Sequence, residues 1–131
     1  MMNYDSLALA AKQAKANSFS PYSKFRVGAA VLTRDGRIYT GCNVESSSYS
    51  LTLCAERTAL CKAVSEGERA FKAIAIASDE KGYTSPCGAC RQVINDLAGN
   101  VDVVLTNRSG KLKIVKVSKL LPKAFGADNL K

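Results

Sequence analysis

Apolar positions change their spacing several times along the chain. Over residues 4–17, Leu7, Ala10, Ala11 and Ala14 recur at helical spacing, and Asn17-Ser18 stop the pattern. "SFSPYSKF" (18–25) holds Pro21 and three aromatics and reads as a loop. "RVGAAVLT" and "RIYTGCNV" flank Arg34-Asp35-Gly36, and Asp-Gly between two apolar runs predicts a hairpin. A polar run from Glu45 to Ser50 leads into a helix expected from about Leu53 to Ser65, ended by Gly67. "KAIAIAS" (72–78) predicts a short buried strand, "DEKGYTSP" a loop, and Cys87 to Ala98 a third helix closed by Gly99. "VDVVLT" and "KLKIVKV" read as strands around Asn107-Arg108-Ser109-Gly110. Ser118 is expected to cap a last short helix through Leu121.

The predicted order is therefore α-β-β-α-β-α-β-β-α. Strands separated by helices need crossover connections, so part of the sheet must pair in parallel, with helices covering it. The first hairpin adds an antiparallel edge. The predicted architecture is α/β, a three-layer α/β/α sandwich on a mixed five-stranded sheet. No linker, repeat or low-complexity tract interrupts the sequence, so residues 1–131 are expected to form one domain. A hydrophobic content of 47% in 131 residues is enough for one real core.

Charge changes this picture little. The formal net charge is +8, from 19 Lys+Arg against 11 Asp+Glu. Much of the excess lies late in the chain, at Arg108, Lys111, Lys113, Lys116, Lys119, Lys123 and Lys131. These cations are single, spaced among Leu112, Ile114, Val117 and Leu120, without interleaved aromatics on which bases would stack. They read as a solvated face, and no nucleic-acid partner is expected. No apolar stretch approaches the roughly 20 residues of a membrane helix, and "MMNYDSLALAAKQAKANS" does not read as a signal peptide. Five cysteines, an odd number without a regular framework, point to a reducing compartment with free thiols, hence a cytoplasmic protein.

Those thiols are the candidate chemistry, because the chain has no histidine. Cys87 and Cys90 stand at i, i+3 where a helix begins after Pro86, and a helix N-terminus favours thiolates. Cys-x-x-C alone also serves redox pairs and structural zinc sites. Cys61 follows Cys54 by about 10 Å of helix, whereas two sulfurs on one zinc lie no more than about 4.6 Å apart. One helix cannot supply both. Cys61, among Ala59, Leu60 and Ala63, reads as a small buried hydrophobe, and Cys42 near a strand end is undecided. Cys54 opens its helix as Cys87 opens its own, so two helix N-termini aimed at one metal would make a three-thiolate site. Glu56 would supply a carboxylate beside metal-held water, provided the site lies over the helix end, since i and i+2 do not share a face. Three thiolates on Zn²⁺ leave a net charge of minus one. A guanidinium donating to the sulfurs would restore acidity, and Arg57 and Arg91 both stand beside a ligand.

Cys-Ala-Glu followed by Pro-Cys-x-x-Cys resembles the zinc nucleoside/nucleotide deaminase signature, in the three-cysteine variant. With "PYSKFRVGAAV", "GCNVE", "CAERTA", "SPCGACRQV" and "LLPKAF", nearly the full chain is similar to the small homotetrameric cytidine deaminases. The resemblance implies one zinc ion per subunit held by Cys54, Cys87 and Cys90. It implies hydrolytic deamination of cytidine and deoxycytidine in pyrimidine salvage, zinc hydroxide attacking C4 while Glu56 shuttles protons. It places Asn43 and Glu45 at the ribose hydroxyls, Phe25 along the nucleoside pocket and Ala55 backbone near the base. Tyr49 and Phe125 match residues lent by neighbouring subunits, so the active sites would be shared in the homotetramer. Arg57 corresponds to the arginine that offsets thiolate charge. Ser47 departs from the pattern, where many relatives carry alanine.

A blasticidin-type deaminase shares motif and size, but Asn43, Glu45, Phe25 and "AFGADNL" favour cytidine. A structural zinc module binding RNA would need a fourth ligand, for which Cys42 is the candidate, and would leave Glu56 without a role. RNA editing by the same chemistry is a third option.

Overall fold

The computed structural model describes residues 3–130, so Lys131 of the basic series lies outside the described residues. The elements run α1 (Asp5–Ala14), β1 (Val27–Thr33), β2 (Ile38–Cys42), α2 (Ala55–Ser65), β3 (Phe71–Ser78), α3 (Gly88–Ala98), β4 (Asp102–Thr106), β5 (Leu112–Lys116) and α4 (Val117–Leu120). This is the predicted order. Short 3₁₀ turns at Lys15–Asn17, Tyr49–Leu51 and Ala127–Leu130 left no periodic trace in the sequence.

The strands form one sheet in the order β2-β1-β3-β4-β5. β1 pairs antiparallel with both β2 and β3, β3 pairs parallel with β4, and β5 returns antiparallel. Helix α3 provides the crossover between the parallel pair, while α2 carries the chain from edge strand β2 past β1 to β3. The strand alternation divides the layers. Ala73, Ala75 and Ala77 of β3 pack with Tyr4, Leu7 and Ala11 on the α1 side. Ile74 and Ile76 face Leu60 and Ala63 of α2 and Ile94 of α3. The strand is thus apolar on both faces, as a central strand between two helical layers must be. Each buried Leu or Ile contributes roughly 1.5–3 kcal/mol.

Two glycines bring helix backbone directly against the first hairpin. Gly28 and Gly41 sit in neighbouring register pairs, Gly28 with Cys42 and Ala29 with Gly41. A Cβ on Gly28 would lie 2.0 Å from the Ala11 carbonyl oxygen of α1, and one on Gly41 would lie 2.4 Å from the Ala59 nitrogen of α2. Adjacent positions on a strand pair face opposite ways, so each glycine receives one helix.

Three expectations are corrected. Cys61 is exposed, not buried. The buried stripe of α2 is Ala55, Glu56, Ala59, Leu60 and Ala63, and Cys61 is turned about 100° beyond Leu60 toward the solvent side with Lys62. The helix expected from Leu53 starts at Ala55, because Leu53 exchanges backbone hydrogen bonds with Val44 and Cys54 is extended. The last helix starts at Val117, with Lys116 rather than Ser118 at its cap. The Ser118 N–H donates to the Asn100 side chain at 2.8 Å.

Candidate metal centre

Two cavities flank the sheet. One of about 790 Å³ lies between α1 and the β4–β5 turn, and its Lys15 and Arg108 are already held by Asp79. It holds no cysteine. A smaller cavity of about 210 Å³ opens over the first turns of α2 and α3 and is lined by Cys54, Ala55, Glu56 and Cys87. Chemistry, not size, singles out the second.

Its thiols converge because two chain segments end in the same way. Cys54 (φ −74°, ψ 152°) and Cys87 (φ −67°, ψ 167°) are extended N-cap residues, each followed by a helix. Their carbonyls accept the first helical bonds, from Thr58 N–H at 3.0 Å and Arg91 N–H at 2.9 Å. Neither sulfur caps its helix, so both are free to point over the ends. Cys90, fully buried, follows one turn into α3. The sulfurs of Cys54, Cys87 and Cys90 all lie within 4.8 Å of one another. This triangle suits one ion with metal–sulfur bonds of about 2.3 Å, and an all-thiolate donor set suits zinc. Cys42 stands apart, its Sγ 3.3 Å from the Asn17 carbonyl oxygen.

The i, i+2 difficulty for Glu56 disappears because Cys54 is not in the helix. Glu56 is 5% exposed and shares the cavity with Cys54 and Cys87. Burial raises its carboxyl above the ordinary carboxylate range, and negative charge on Cys54 adds to the effect. Hydrogen bonding from the Cys90 thiol, followed by the Arg57 guanidinium, brings Cys54 down to about 5. The same contact with Cys54, with burial, raises Cys90. A cation among the sulfurs favours the charged form of all these acids. Arg57 Nη2 donates to Cys54 Sγ at 3.1 Å, while its buried Nε has no hydrogen-bond partner among the described residues. Arg91, the other candidate beside a ligand, turns its guanidinium to oxygen: Pro86 O, Leu120 O and Ser85 Oγ.

Phe25 and Asn43 line the same cavity. The Asn43 side-chain oxygen accepts from Val27 N–H and Ser18 Oγ–H, and Nδ2 donates to Phe25 O at 2.8 Å. Three of the four hydrogen bonds an amide can make are filled, leaving one N–H. Glu45 lies outside that lining and fastens the preceding loop, accepting from Tyr22 N–H at 3.0 Å, Ser23 N–H at 3.1 Å and the Ser23 hydroxyl. The Ser23 hydroxyl is the main reason its carboxyl is lowered. Tyr49, 69% exposed, meets Tyr22 edge to face at 6.2 Å, and the Phe125 ring is 59% exposed. Neither Tyr49 nor Phe125 reaches the cavity of its own chain. Thr52, Thr84 and Ser85 do line it. The sequence pattern missed all three; only Ser85, just before Pro86-Cys87, carried a positional signal.

A family model described as the cytidine and deoxycytidylate deaminase zinc-binding region matches residues 1–106. A cytidine deaminase of Sporosarcina psychrophila is 52% identical over 98% of this chain and 96% of its own. A blasticidin-S deaminase of Bacillus cereus is 36% identical, with 76% of each chain covered. The crystal structure of a cytidine deaminase from Burkholderia pseudomallei superposes with a TM-score of 0.91 at 47% identity, covering 95% of this chain and 100% of that one. The family match falls on the segments that bring the three thiols together, and the chain belongs to the cytidine and deoxycytidylate deaminase zinc-binding family.

Proposed function

We propose that this chain hydrolyses cytidine and deoxycytidine to uridine and deoxyuridine with release of ammonia, using one zinc ion per subunit held by Cys54, Cys87 and Cys90. The observation that carries the reading is the meeting of three thiols within 4.8 Å, two of them lining the same cavity as one buried carboxylate. Zinc there supplies the Lewis acidity that makes water nucleophilic near neutral pH. The family match and the cytidine deaminase relatives support this substrate class. Pyrimidine salvage is the role such a reaction would serve, in the cytoplasm.

Glu56 moves the protons. Its buried carboxyl takes the proton of the attacking water and gives it to N3 of the ring, then takes the hydroxyl proton of the C4 adduct and gives it to the amino group, which leaves C4 as ammonia. The N-terminal turn of α2 keeps it beside the base, with the fully buried Ala55 offering backbone next to it. Arg57 draws charge from the Cys54 sulfur. Phe25 lines the pocket wall against the nucleoside, and the remaining Asn43 N–H meets a ribose hydroxyl. A carboxylate has about four acceptor positions. Glu45 uses three, so one remains for the sugar. Tyr49 and Phe125, exposed and outside the cavity of their own chain, serve the sites of neighbouring copies in a homotetramer.

Two assays test the reading. Purified protein should remove the cytidine absorbance band, and a zinc chelator should stop it. Glu56→Gln should keep zinc and lose turnover by about 10² to 10⁴, the usual contribution of a positioned proton-transfer group. A variant that deaminates at the unmodified rate would refute the role of Glu56, and free cytidine left untouched while cytosine in RNA is converted would refute the substrate.

A further inference from the structure

Arg91 follows ligand Cys90 directly, yet its guanidinium points away from the sulfurs. Nε donates to Pro86 O at 2.8 Å and Nη2 to Ser85 Oγ at 2.9 Å, so it grips the two residues that deliver Cys87. Nη1 donates to Leu120 O at 2.8 Å, at the end of α4. The next residue repeats the outward reach, Gln92 Nε2 donating to Phe125 O at 2.8 Å. In between, the chain passes Pro122 and Lys123, the latter at φ 54°. The segment 120–125 makes no strand pairing and belongs to no named helix beyond Leu120. Leu120 packs on the core, and two side chains of α3, Arg91 and Gln92, donate hydrogen bonds to the segment.

A planar guanidinium that spans three acceptors fixes all three relative to one another, which an ammonium cannot do. Local carbonyls near a helix start are otherwise satisfied by water, which fixes nothing. The Ser85-Pro86 segment has no strand or helix of its own, and Cys87 takes its position from it.

We infer that Arg91 is a positioning residue that couples the metal-bearing segment Ser85–Cys87 to the C-terminal segment 120–125. Occupation of the thiol triangle and docking of the tail then stabilise each other. Coupling between two sites is reciprocal. Arg91 thus has a different task from Arg57, which donates to sulfur. The inference rests on the proposed metal site but not on the substrate or the tetramer. In the proposed tetramer it gives a further consequence: the Phe125 that one subunit lends would be set by that subunit's own metal site.

The test measures zinc affinity by competition with a chromophoric chelator, and hydrogen–deuterium exchange of the peptide covering residues 117–126. Zinc binding by the unmodified chain checks the metal reading separately. In the unmodified protein, removing zinc should raise exchange in 117–126, a measurement that needs no variant. Arg91→Lys keeps the charge but not the fork, and should weaken zinc binding by about tenfold or more, the usual cost of losing a group that orients a ligand, while raising tail exchange. Gln92→Ala frees only the far end at Phe125, while Arg91 still holds Leu120, and should raise tail exchange with a smaller loss of zinc affinity than Arg91→Lys. The inference is overturned if zinc removal leaves tail exchange unchanged, or if Arg91→Lys binds zinc within about twofold of the unmodified chain.

Discussion

Arg57 shows how much one side chain can decide at an all-thiolate centre. Its Nη2 donates to Cys54 Sγ at 3.1 Å, and in the proposed centre that contact would draw charge from a thiolate ligand. Arg57→Gln should retain zinc, measured by atomic absorption, but lower kcat by about 10- to 100-fold. A second prediction concerns Asp79, which follows β3 and is bound by Arg26 at 2.9 Å and Lys15 at 3.2 Å. Hydrogen bonding to Arg26, then to Lys15, holds its carboxyl well below the usual range. A depressed folded-state pKa stabilises above the unfolded value and loses that contribution as pH falls. Asp79→Asn should therefore cost about 1 kcal/mol at pH 7, the scale of a partly exposed pair. The gap to the unmodified chain should close steadily below about pH 4, as read from urea midpoints. The thiol cluster and the buried Glu56 beside it were legible in the sequence because such a grouping needs rare residues at fixed local spacing. Thr52 and Thr84 were not, because a hydroxyl in a loop has no period and no rare chemistry. Nor could the sequence show that the Asn43 amide is largely consumed in holding Val27 and Phe25.

At the scale of elements, the order of helices and strands followed from apolar spacing, since both faces of β3 must be covered. Their ends were less legible. Cys54 looked helical because Leu53 and the residues after it share an apolar pattern, yet pairing with Val44 keeps Leu53 extended. Cys61 misled for a related reason: apolar neighbours in sequence do not tell which side of α2 a residue takes. The lysines of the C-terminal third gain a structural reason. Lys113 and Lys116 lie on β5, an edge strand, where charge discourages pairing with another chain. The contact between α2 and β2 yields a third prediction. Gly41→Ala puts a Cβ at 2.4 Å from the Ala59 nitrogen, where no flexible side chain can yield. The helix must move, at a cost of about 1–3 kcal/mol as for other overpacked sites. Because Glu56 lies in that helix and Cys54 caps it, kcat should fall along with Tm, and thermal melts paired with initial rates would separate the two.

The whole molecule is a sheet between two helical layers, and within the layer of α2 and α3 two helix ends bring three thiols within 4.8 Å of one another. An ion bound by all three would tie those helix ends together, so ligation should contribute to global stability. Stripping zinc should lower Tm by about 10 °C or more if the ion is held a thousandfold above its dissociation constant, which differential scanning calorimetry with and without chelator would show. The small cavity is lined in part by Phe25 and Leu53, both exposed. That exposed apolar lining fits the proposed assembly, in which neighbouring copies complete the wall.

Gly28 and Gly41 have a consequence for how freely this sequence can vary. Where side chain meets side chain, as at Ile74 or Ile94, a substitution can be absorbed by repacking. Where a helix backbone rests on a bare α-carbon from each face of one hairpin, there is nothing to repack. In a library that randomises the chain and selects for growth on its product, the oily interior should return many solutions. These two positions should return one.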